Sequence, residues 1–438
     1  MSQRSITEPV KIALIGAGNR GQGAYGDYGL AMPQRAKFVA VVEPDDNKRE
    51  TFGEQHQIPP QFRFREIPDF FAHAPEGIEA CIIATLESIR IEPVREAMKR
   101  NWHILVEKPL GRNVEEFLEL YDMAKDYPQI CLVCHQLRLT PGYVWLKRLI
   151  DSGKYGRIMS IQHSENVCFE HYAHSFVRGN FRNERLAPML LAKSCHDLDL
   201  LSYFIGKPAV RVSSFGSLKY FTPENRPAGA PDFCIQNCPH GDTCPYNAVR
   251  FYFDPTLYDS YFRSMNAYPY NAARIREVLS TTNYGRCVFA CDNNVVDSQS
   301  VQIEYEGGIN VNFMMTAHNA AYNRMDRRLT KISMTNGELI FDLNETKITA
   351  HRFCPISCEE LSFPIPTGDH AGGDRWIMDS FTGAILSGDR SKLVCEIKSS
   401  FDGHMLVFAA EKARLSHQVV EVADFAEEIR KNIREQYK

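Results

Sequence analysis

Five short, almost uninterrupted apolar runs divide the first 134 residues of the chain. They begin at Val10, Lys37, Ala80, His103 and Ile130. Strands of a parallel sheet that is covered on both faces have this composition, because neither side of such a strand meets water. Amphipathic stretches separate the runs, and this alternation is typical of successive βαβ units. We therefore predict an α/β domain over residues 1–134, with helices over Ile91–Lys99 and Val114–Lys125.

Beyond Cys134 the pattern changes to short strands with alternating polar and apolar residues. Such strands lie within residues 157–166, 301–316 and 331–343. The pairs Gly307-Gly308 and Asn336-Gly337 mark tight turns between them. We predict a second α/β domain over residues 135–438, built on a largely antiparallel open sheet. Its predicted helices cover residues 190–204, 374–386 and 401–415, the last being the final element.

A glycine-rich turn follows the first apolar run and reads GAGNRG from Gly16 to Gly21. Between a strand and a helix, this G-x-G-x-x-G spacing is typical of dinucleotide binding. Gly16 permits the tight turn, Gly18 the close approach of a pyrophosphate, and Gly21 the close packing of helix on strand. The following helix directs its N-terminus at the phosphates. The candidate cofactor-binding residues in this turn are Gly16, Gly18, Asn19, Arg20 and Gly21.

Glu43 ends the second apolar run. At this place in a dinucleotide-binding domain, a carboxylate hydrogen-bonds the ribose hydroxyls and repels a 2′-phosphate. Glu43 is therefore a further cofactor-binding candidate and predicts NAD, although the nearby Arg20 and Lys48 leave NADP open.

The charge balance excludes one large class of partners. The chain has 50 Lys and Arg against 54 Asp and Glu, a net charge of −4, and so lacks the basic surplus that neutralises nucleic-acid phosphates. The N-terminal sequence has no apolar signal segment, and no stretch reaches the ~18 apolar residues of a membrane span. We predict a cytoplasmic protein with neither a nucleic-acid nor a membrane partner.

Several motifs together resemble the glucose–fructose oxidoreductase / inositol dehydrogenase family (Gfo/Idh/MocA). Besides the glycine turn, they are Ala84-Thr85, Glu107-Lys108-Pro109, LIDSGKYGRI from Leu149 and KSCHDLDLLSYFIG from Lys193. The resemblance covers essentially the whole chain. It implies a Rossmann dinucleotide-binding domain followed by an α/β domain whose open sheet often mediates oligomerisation. Most members move hydride between NAD(P) and a sugar or cyclitol carbon, and some relatives use bound NAD in a transient oxidation that enables glycosidic cleavage.

Lys108 is the first catalytic candidate. Oxidation of a secondary alcohol needs a group that takes the hydroxyl proton while hydride leaves to the nicotinamide. Lys108 follows an apolar run at its carboxyl end, which is the edge where open α/β sheets bind ligands. The same motifs add Thr85, Glu107 and Lys108 itself to the cofactor-binding candidates.

His196, near the start of a predicted helix, is the second catalytic candidate. The family commonly has an Asp four residues before this His, but here that position is Ala192, so the sequence departs from the usual Asp–His relay. Lys193 is the third candidate, as a cationic substrate contact that takes the place of the relay. Alternatively, Asp197 and Asp199 position the site.

Three residues are candidates for facing the substrate: His135, Arg138 and Asp197. The first two follow the last apolar run of the first domain, where the family often places polar groups. Arg138 fits an anionic or polyhydroxyl substrate, or equally a salt bridge at the domain boundary. The segment after Thr85, LESIRIEP, lacks the histidines that many members carry there.

Thirteen cysteines in a chain without a secretion signal argue against a disulfide framework. Cys234, Cys238 and Cys244 lie in a turn-rich insertion that covers about residues 220–292. Zn²⁺ prefers tetrahedral sets of thiolate and imidazole ligands. We predict a structural zinc site of these three thiols with Cys287 as the fourth ligand, and His240 as the alternative fourth. An iron–sulfur cluster and free thiols on a lid loop are the other interpretations.

The motifs together predict an NAD-dependent oxidoreductase that acts on a secondary alcohol of a sugar, cyclitol or derivative. Its substrate is then a small polyhydroxyl molecule, and the enzyme is predicted to be a homo-oligomer. An NAD-using glycoside-cleaving enzyme is one alternative. A cofactor-bound sensor or scaffold that has lost its chemistry is the other.

Overall fold

The computed structural model of the chain describes residues 8–320, 325–363, 372–391 and 393–436. These residues form two compact units. The first takes in the described parts of residues 1–145, 364–404 and 428–438, and the second those of 146–363 and 405–427. The structure thus differs from the predicted contiguous domains 1–134 and 135–438, because two C-terminal segments return to the first unit.

The elements are numbered in chain order. The strands are β1 (Val10–Ile15), β2 (Ala36–Val42), β3 (Arg63–Phe64), β4 (Ala80–Ile83), β5 (His103–Val106), β6 (Cys131–Val133), β7 (Ile158–Cys168), β8 (Ala209–Ser217), β9 (Ser298–Tyr305), β10 (Ile309–Asn319), β11 (Arg327–Met334), β12 (Gly337–Asp342), β13 (Lys347–Phe353), β14 (Ile356–Ser362) and β15 (Val420–Glu421). The helices are α1 (Asp27–Ala31), α2 (Asp46–Gln55), α3 (Ile67–His73), α4 (Ile91–Lys99), α5 (Val114–Ala124), α6 (Pro141–Asp151), α7 (Phe169–Tyr172), α8 (Met189–Ala192), α9 (Cys195–Ile205), α10 (Ala248–Tyr252), α11 (Asp259–Ser264), α12 (Ala272–Thr281), α13 (Gly373–Ser387), α14 (Phe401–Ser416) and α15 (Val422–Gln436).

The sheet of the first unit has six parallel strands in the order β3-β2-β1-β4-β5-β6. This is the strand order of a Rossmann fold, as the sequence predicts. All four residues of β4 are buried, which explains why the strand reads as a continuous apolar run. The order places the carboxyl ends of β1 and β4 side by side, at the point where the strand order reverses and ligands bind.

Helix α13 belongs to the core of the first unit. Its Ile377, Met378 and Phe381 are fully buried and share one apolar cluster with Ile12 and Phe38 of the parallel sheet. Tyr28 of α1 donates a hydrogen bond to Asp379 Oδ1 at 2.7 Å. The predicted helix over residues 374–386 is therefore present, but it covers the first sheet and does not belong to the second unit.

The sheet of the second unit has nine strands in the order β14-β13-β12-β11-β7-β10-β9-β8-β15. Among the described strands of this sheet, β7 and β10 are parallel to each other and the other neighbours are antiparallel. The prediction of a largely antiparallel sheet is confirmed. Gly307 and Gly308 both have positive φ, +85° and +74°, in the tight turn between β9 and β10.

The insertion within residues 220–292 has an apolar core of its own. Helices α10, α11 and α12 bury Phe251, Tyr252, Phe262, Ile275 and Leu279 in one cluster. Residues 226–247, which precede α10, form turns without a helix or a longer strand. The predicted last helix over residues 401–415 is present as α14, but α15 follows it and was not predicted. None of the helices in the described residues is both long and apolar enough to cross a membrane.

Candidate cofactor and catalytic site

The glycine turn after β1 lies against the end of β4. Gly16 has φ +96°, and a Cβ there would lie 2.6 Å from the carbonyl oxygen of Ala84. A Cβ on Gly21 would lie 2.0 Å from the carbonyl oxygen of Gly16. Both positions therefore require glycine. At Gly18, in contrast, a Cβ would meet no atom within 4 Å, so the backbone of this residue is open to a ligand.

These features fit a bound dinucleotide. The open space at Gly18 is where the pyrophosphate approaches the backbone in this type of turn. Thr85 Oγ1, beside the turn, is buried and has no hydrogen-bond partner in the part of the chain that the structure describes. A polar atom in this state calls for a partner, which a cofactor can supply.

Glu43 and Arg20, both predicted to bind the cofactor, are each engaged with the protein. Glu43 is 8% exposed, and its Oε2 accepts a hydrogen bond from the backbone N–H of Ala17 at 2.8 Å. Arg20 donates to Asp374 through Nη1 at 2.7 Å and Nη2 at 2.8 Å. Its Nε donates to Glu107 Oε1 at 2.7 Å. The Arg20 guanidinium thus already has two carboxylate partners within the first unit.

Glu107, which follows β5, anchors the turn that carries Lys108. Its Oε1 also accepts from Tyr25 Oη at 2.5 Å, and its Oε2 from the backbone N–H of Lys108 at 3.2 Å. Burial alone would raise the pKa of Glu107, but Arg20 and the Tyr25 hydrogen bond lower it below its ordinary value. Glu107 is therefore an ionised anchor that is 5% exposed, whereas Lys108 is partly exposed.

Two further residues hold the same turn, and sequence reasoning missed both. Arg90, 2% exposed, donates to the carbonyl oxygens of Pro109 and Thr85, and so ties the end of β4 to the turn after β5. His404, which is fully buried, accepts from the backbone N–H of Leu110 through Nε2 at 3.3 Å. The backbone around Lys108 is thus fixed from several separate elements.

The predicted substrate contacts of the first unit are buried. His135 is 0% exposed, and burial, followed by the charges of Arg138 and Lys108, lowers its pKa well below the ordinary value. Arg138 is 2% exposed. Its Nη1 donates to Val394 O at 2.6 Å and its Nη2 to Ser399 O at 2.8 Å. These contacts hold the Arg138 guanidinium inside the first unit, and its predicted contact with the substrate stays a prediction.

The predicted catalytic residues of the second unit lie on and beside α9. His196, in the first turn of α9, is 4% exposed. The sequence predicts one helix over residues 190–204, but α8 ends at Ala192 and α9 begins at Cys195. Lys193 lies in this break, and its Nζ contacts Asp326 Oδ2 and lies 3.5 Å from Glu165 Oε1. Although burial lowers the pKa of Lys193, Asp326 and Glu165 raise it above its ordinary value, so Lys193 is a fixed cation.

A buried charge cluster lies between α9 and the inner face of the nine-stranded sheet. Arg328 of β11 is at its centre, with Nε 2.6 Å from Glu165 Oε2 and 2.7 Å from Asp197 Oδ1. Asp197, 0% exposed, also contacts His163 Nε2 at 3.0 Å. Burial raises the pKa of Asp197, but Arg328 and His163 together lower it below the ordinary value. Asp197 was predicted to face the substrate; the structure shows it buried against Arg328 and His163, and its role toward the substrate stays a prediction.

This cluster predicts a specific pH dependence. Burial raises the pKa of Glu165 from 4.5 to about 8, against the attraction of Arg328 and Lys193 and with support from the charges of Asp197 and Asp326. The folded chain therefore keeps a proton that the unfolded chain loses near pH 4.5, and its stability falls as the pH rises toward 8. We expect the melting temperature of the wild type to decline across this window, and Glu165→Gln to flatten the decline.

Thermal unfolding at pH 5 to 9 measures this slope. Glu360→Gln is the matched control, because Glu360 is an exposed residue of β14 paired with Lys347. It should keep the slope of the wild type. Equal slopes for Glu165→Gln and the wild type would show that Glu165 does not titrate in this window.

The four cysteines predicted to bind zinc line one pocket. Cys234, Cys238, Cys244 and Cys287 are all at its wall, together with His240. These four cysteines are free thiols. Among the described residues, no three His, Cys, Asp or Glu side chains already stand as a set of metal ligands. The four predicted thiols thus line one pocket, whereas the bound zinc stays a prediction.

The fold and the glycine turn define the class of protein: a dinucleotide-binding Rossmann domain in a chain that also carries a mainly antiparallel α/β unit. Residues 10–135 match the family model GFO_IDH_MocA, described as an oxidoreductase family with an NAD-binding Rossmann fold. The predicted resemblance to this family is thus confirmed over residues 10–135.

Similar proteins extend this picture. The scyllo-inositol 2-dehydrogenase (NAD(+)) of Bacillus subtilis (strain 168) is 27% identical over 218 residues, 48% of this chain and 58% of that protein. The D-xylose dehydrogenase of Paenarthrobacter nicotinovorans is 34% identical over 127 residues, 28% of this chain and 33% of that protein. The chain thus spans 33% to 58% of the length of these curated relatives.

Solved structures match over a larger share of the chain. Levoglucosan dehydrogenase in complex with NADH and levoglucosan has a TM-score of 0.69 at 16% identity, covering 95% of this chain and 100% of that one. At this identity the likeness concerns the fold, and it supports the predicted two-part α/β architecture.

Proposed function

We propose that this protein is an NAD-dependent oxidoreductase that transfers hydride between the cofactor and a secondary alcohol of a sugar, cyclitol or derivative. The observation that carries the proposal is the turn Glu107–Leu110. Glu107, Pro109 and Leu110 are each held by contacts from other elements of the first unit, while Lys108 keeps a partly exposed side chain. An enzyme that must place one proton-transfer group accurately requires such a rigid support.

The proposed division of labour follows from the chemistry of alcohol oxidation. Bound NAD supplies the hydride acceptor. Gly18 binds its pyrophosphate, Thr85 binds on the nicotinamide side, and Glu43 binds its ribose hydroxyls. Lys108 takes the proton of the substrate hydroxyl, or returns it in the reverse direction. His196 is proposed as a second proton-transfer group, and Lys193 as a cation whose position Asp326 and Glu165 fix.

NAD is proposed in preference to NADP on two observations. Glu43 directly follows β2 and holds a carboxylate at the place where a 2′-phosphate would lie. Arg20, the nearest candidate partner for that phosphate, already donates to Asp374 and Glu107. An arginine held by two carboxylates has little remaining capacity for a third anion.

The names of the relatives support the proposed substrate class, and the nine-stranded sheet supports a homo-oligomer. The relatives named as dehydrogenases act on a polyhydroxyl compound, an inositol or xylose. The sheet register brings Phe215, Met314 and Leu329 to one face, where Phe215 is 70% and Leu329 38% exposed. Apolar residues exposed on a sheet face support association of copies, and we propose a homo-oligomer in the cytoplasm.

One experiment separates the candidate functions. The chain is titrated with NAD and NADP by calorimetry, and then incubated with NAD and a panel of sugars, cyclitols and aryl glycosides. Nicotinamide absorbance and released aglycone are followed together. We expect tighter binding of NAD and net reduction of NAD with a polyol. Aglycone release without net reduction would indicate a glycoside-cleaving enzyme, and NAD binding without any turnover a sensor or scaffold. Tighter binding of NADP would overturn the role given to Glu43.

A further inference from the structure

The pocket of the insertion is formed by residues from two separate stretches of chain. Cys234, Cys238 and Cys244 lie in the turn-rich segment, whereas Cys287 follows α12. The fold brings the four thiols to one wall although spacing alone did not require it. A set of four converging thiols is the ligand set of structural zinc sites.

Backbone hydrogen bonds fix the positions of Cys234 and Cys287, the first and the last of the four cysteines in the chain. The N–H of Cys234 donates to Gly285 O at 2.9 Å, and that of Cys287 donates to Asp232 O at 2.8 Å. Between them, Phe233 and Arg286 form an antiparallel bridge. Side chains alternate between the two faces of such a ladder, so Cys234 and Cys287 lie on the same face.

Cys238 and Cys244, the two cysteines between them, lie in two successive turns. The N–H of Gly241 donates to Cys238 O at 3.0 Å, and the N–H of Cys244 donates to His240 O at 2.8 Å. His240 contacts Ala228 O through Nε2 at 2.8 Å, which makes this ring nitrogen the donor. The imidazole is thereby engaged with the backbone, and Cys287 is the better fourth ligand.

A buried arginine beside the pocket calls for negative charge. Arg178 is 2% exposed, and its Nη2 donates to Tyr246 O at 2.6 Å and lies 3.8 Å from Cys234 Sγ. Its Nε donates to Arg286 O at 2.8 Å. Within the described residues, the guanidinium has carbonyl and thiol partners and forms no ion pair with a carboxylate. A buried cation without an anion is costly, and thiolates at Cys234 and its neighbours would supply that anion.

We propose that Cys234, Cys238, Cys244 and Cys287 bind one structural Zn²⁺ ion in this pocket. The four thiols release four protons on binding, and the resulting site carries a charge of −2, which Arg178 partly balances. Because Zn–S bonds are about 2.3 Å long, the sulfur atoms approach to about 3.8 Å of one another around the ion. Zinc binding therefore requires the four thiols to move into ligand geometry, which the described residues do not already show. The site is closed by four protein ligands and is therefore structural.

Zinc would also account for the order of residues 226–247. These residues form turns without a helix or a longer strand, and fixing each one costs about 1 to 2 kcal/mol of conformational entropy. An ion that links this segment to Cys287 offsets much of that cost.

Elemental analysis of the full chain tests the proposal. The protein is produced with added zinc and purified without chelator or a metal-affinity tag. We expect about one zinc per chain in the wild type and less than ~0.2 in Cys238→Ser and Cys244→Ser. Cys354→Ser and Cys358→Ser are the matched controls, because these exposed thiols lie outside the pocket, and both should keep the zinc of the wild type. His240→Ala should keep it as well.

A measurement on the wild type alone covers the case in which a variant fails to fold. The zinc-loaded chain is titrated with an organomercurial while a chromogenic chelator reports released zinc, and native alkylation is mapped by mass spectrometry. We expect release of the metal as four thiols react, and protection of those four from alkylation until zinc is removed. A wild type with less than ~0.2 zinc per chain, iron in its place, or alkylation of the four thiols as fast as Cys354 would overturn the assignment.

Discussion

We expect Lys108→Met to lower turnover by about 10²- to 10⁴-fold, the usual contribution of a proton-transfer group. This corresponds to about 3 to 5 kcal/mol of transition-state stabilisation. Methionine keeps an unbranched apolar side chain that is one atom shorter than lysine, and it lacks the ammonium group. The turn itself should persist, because Glu107, Pro109 and Leu110 are held by contacts that do not use the Lys108 side chain. The affinity for NAD is therefore expected to change little.

Two measurements on one preparation check this prediction: kcat with the active member of the substrate panel, and NAD binding by calorimetry. Lys37→Met is the control, because Lys37 is an exposed residue of β2 in the same unit, and it should leave both quantities unchanged. Turnover of Lys108→Met near that of the wild type would remove Lys108 from the chemistry. A loss of NAD binding together with turnover would mean that Lys108 serves the cofactor and not the proton.

The parallel sheet could be predicted because a strand buried on both faces leaves an uninterrupted apolar run. Five of its six strands begin within a few residues of such a run. The sixth, β3, has only Arg63 and Phe64, too short for any pattern to stand out. The glycine turn could also be predicted. Its backbone leaves no room for a Cβ at Gly16 and Gly21, so both positions require glycine and the motif is visible in the sequence.

The place of α13 could not be predicted, for a physical reason. Amphipathic spacing shows that a helix buries one face, but it does not show which sheet receives that face. Ile377 and Phe381 pack with Ile12 and Phe38, whose positions in the sequence are more than three hundred residues away. The sequence analysis placed this helix in the second domain, because residues 374–386 lie within the predicted range 135–438.

The buried charges within each unit were missed for a related reason. Arg90, Asp374 and Arg328 look like surface residues in a sequence, because charged residues are rarely buried unless they are paired. Their partners are distant along the chain or are backbone carbonyls: Arg20 for Asp374, and the Thr85 and Pro109 carbonyls for Arg90. The sequence analysis predicted Arg20 and Thr85 as cofactor-binding residues. No pattern in the sequence indicated Asp374, which pairs with Arg20, or Arg90, which donates to the Thr85 carbonyl.

We expect Arg328→Met to destabilise the chain by about 3 to 5 kcal/mol, since removing one partner of a buried ion pair leaves the other charge uncompensated. The Arg328 side chain is 6% exposed and faces Glu165 and Asp197, both fully buried. Methionine fills much of the volume but offers no donor to either carboxylate. Chemical unfolding at pH 7 measures the loss. Adding Asp197→Asn to Arg328→Met should restore part of the stability, because Arg328 lowers the pKa of Asp197 and this carboxylate is the charge left uncompensated at pH 7.

Arg327→Met is the matched control on the neighbouring residue of the same strand. Arg327 points to the opposite face of the sheet, is 51% exposed and pairs with Asp342 at 2.6 Å. Exposed ion pairs contribute about 0 to 1 kcal/mol, so this variant should unfold almost like the wild type. Equal losses for the two variants would mean that the Arg328 cluster is no more stabilising than a surface pair. In that case the contact with Arg328 would not account for the placement of Asp197.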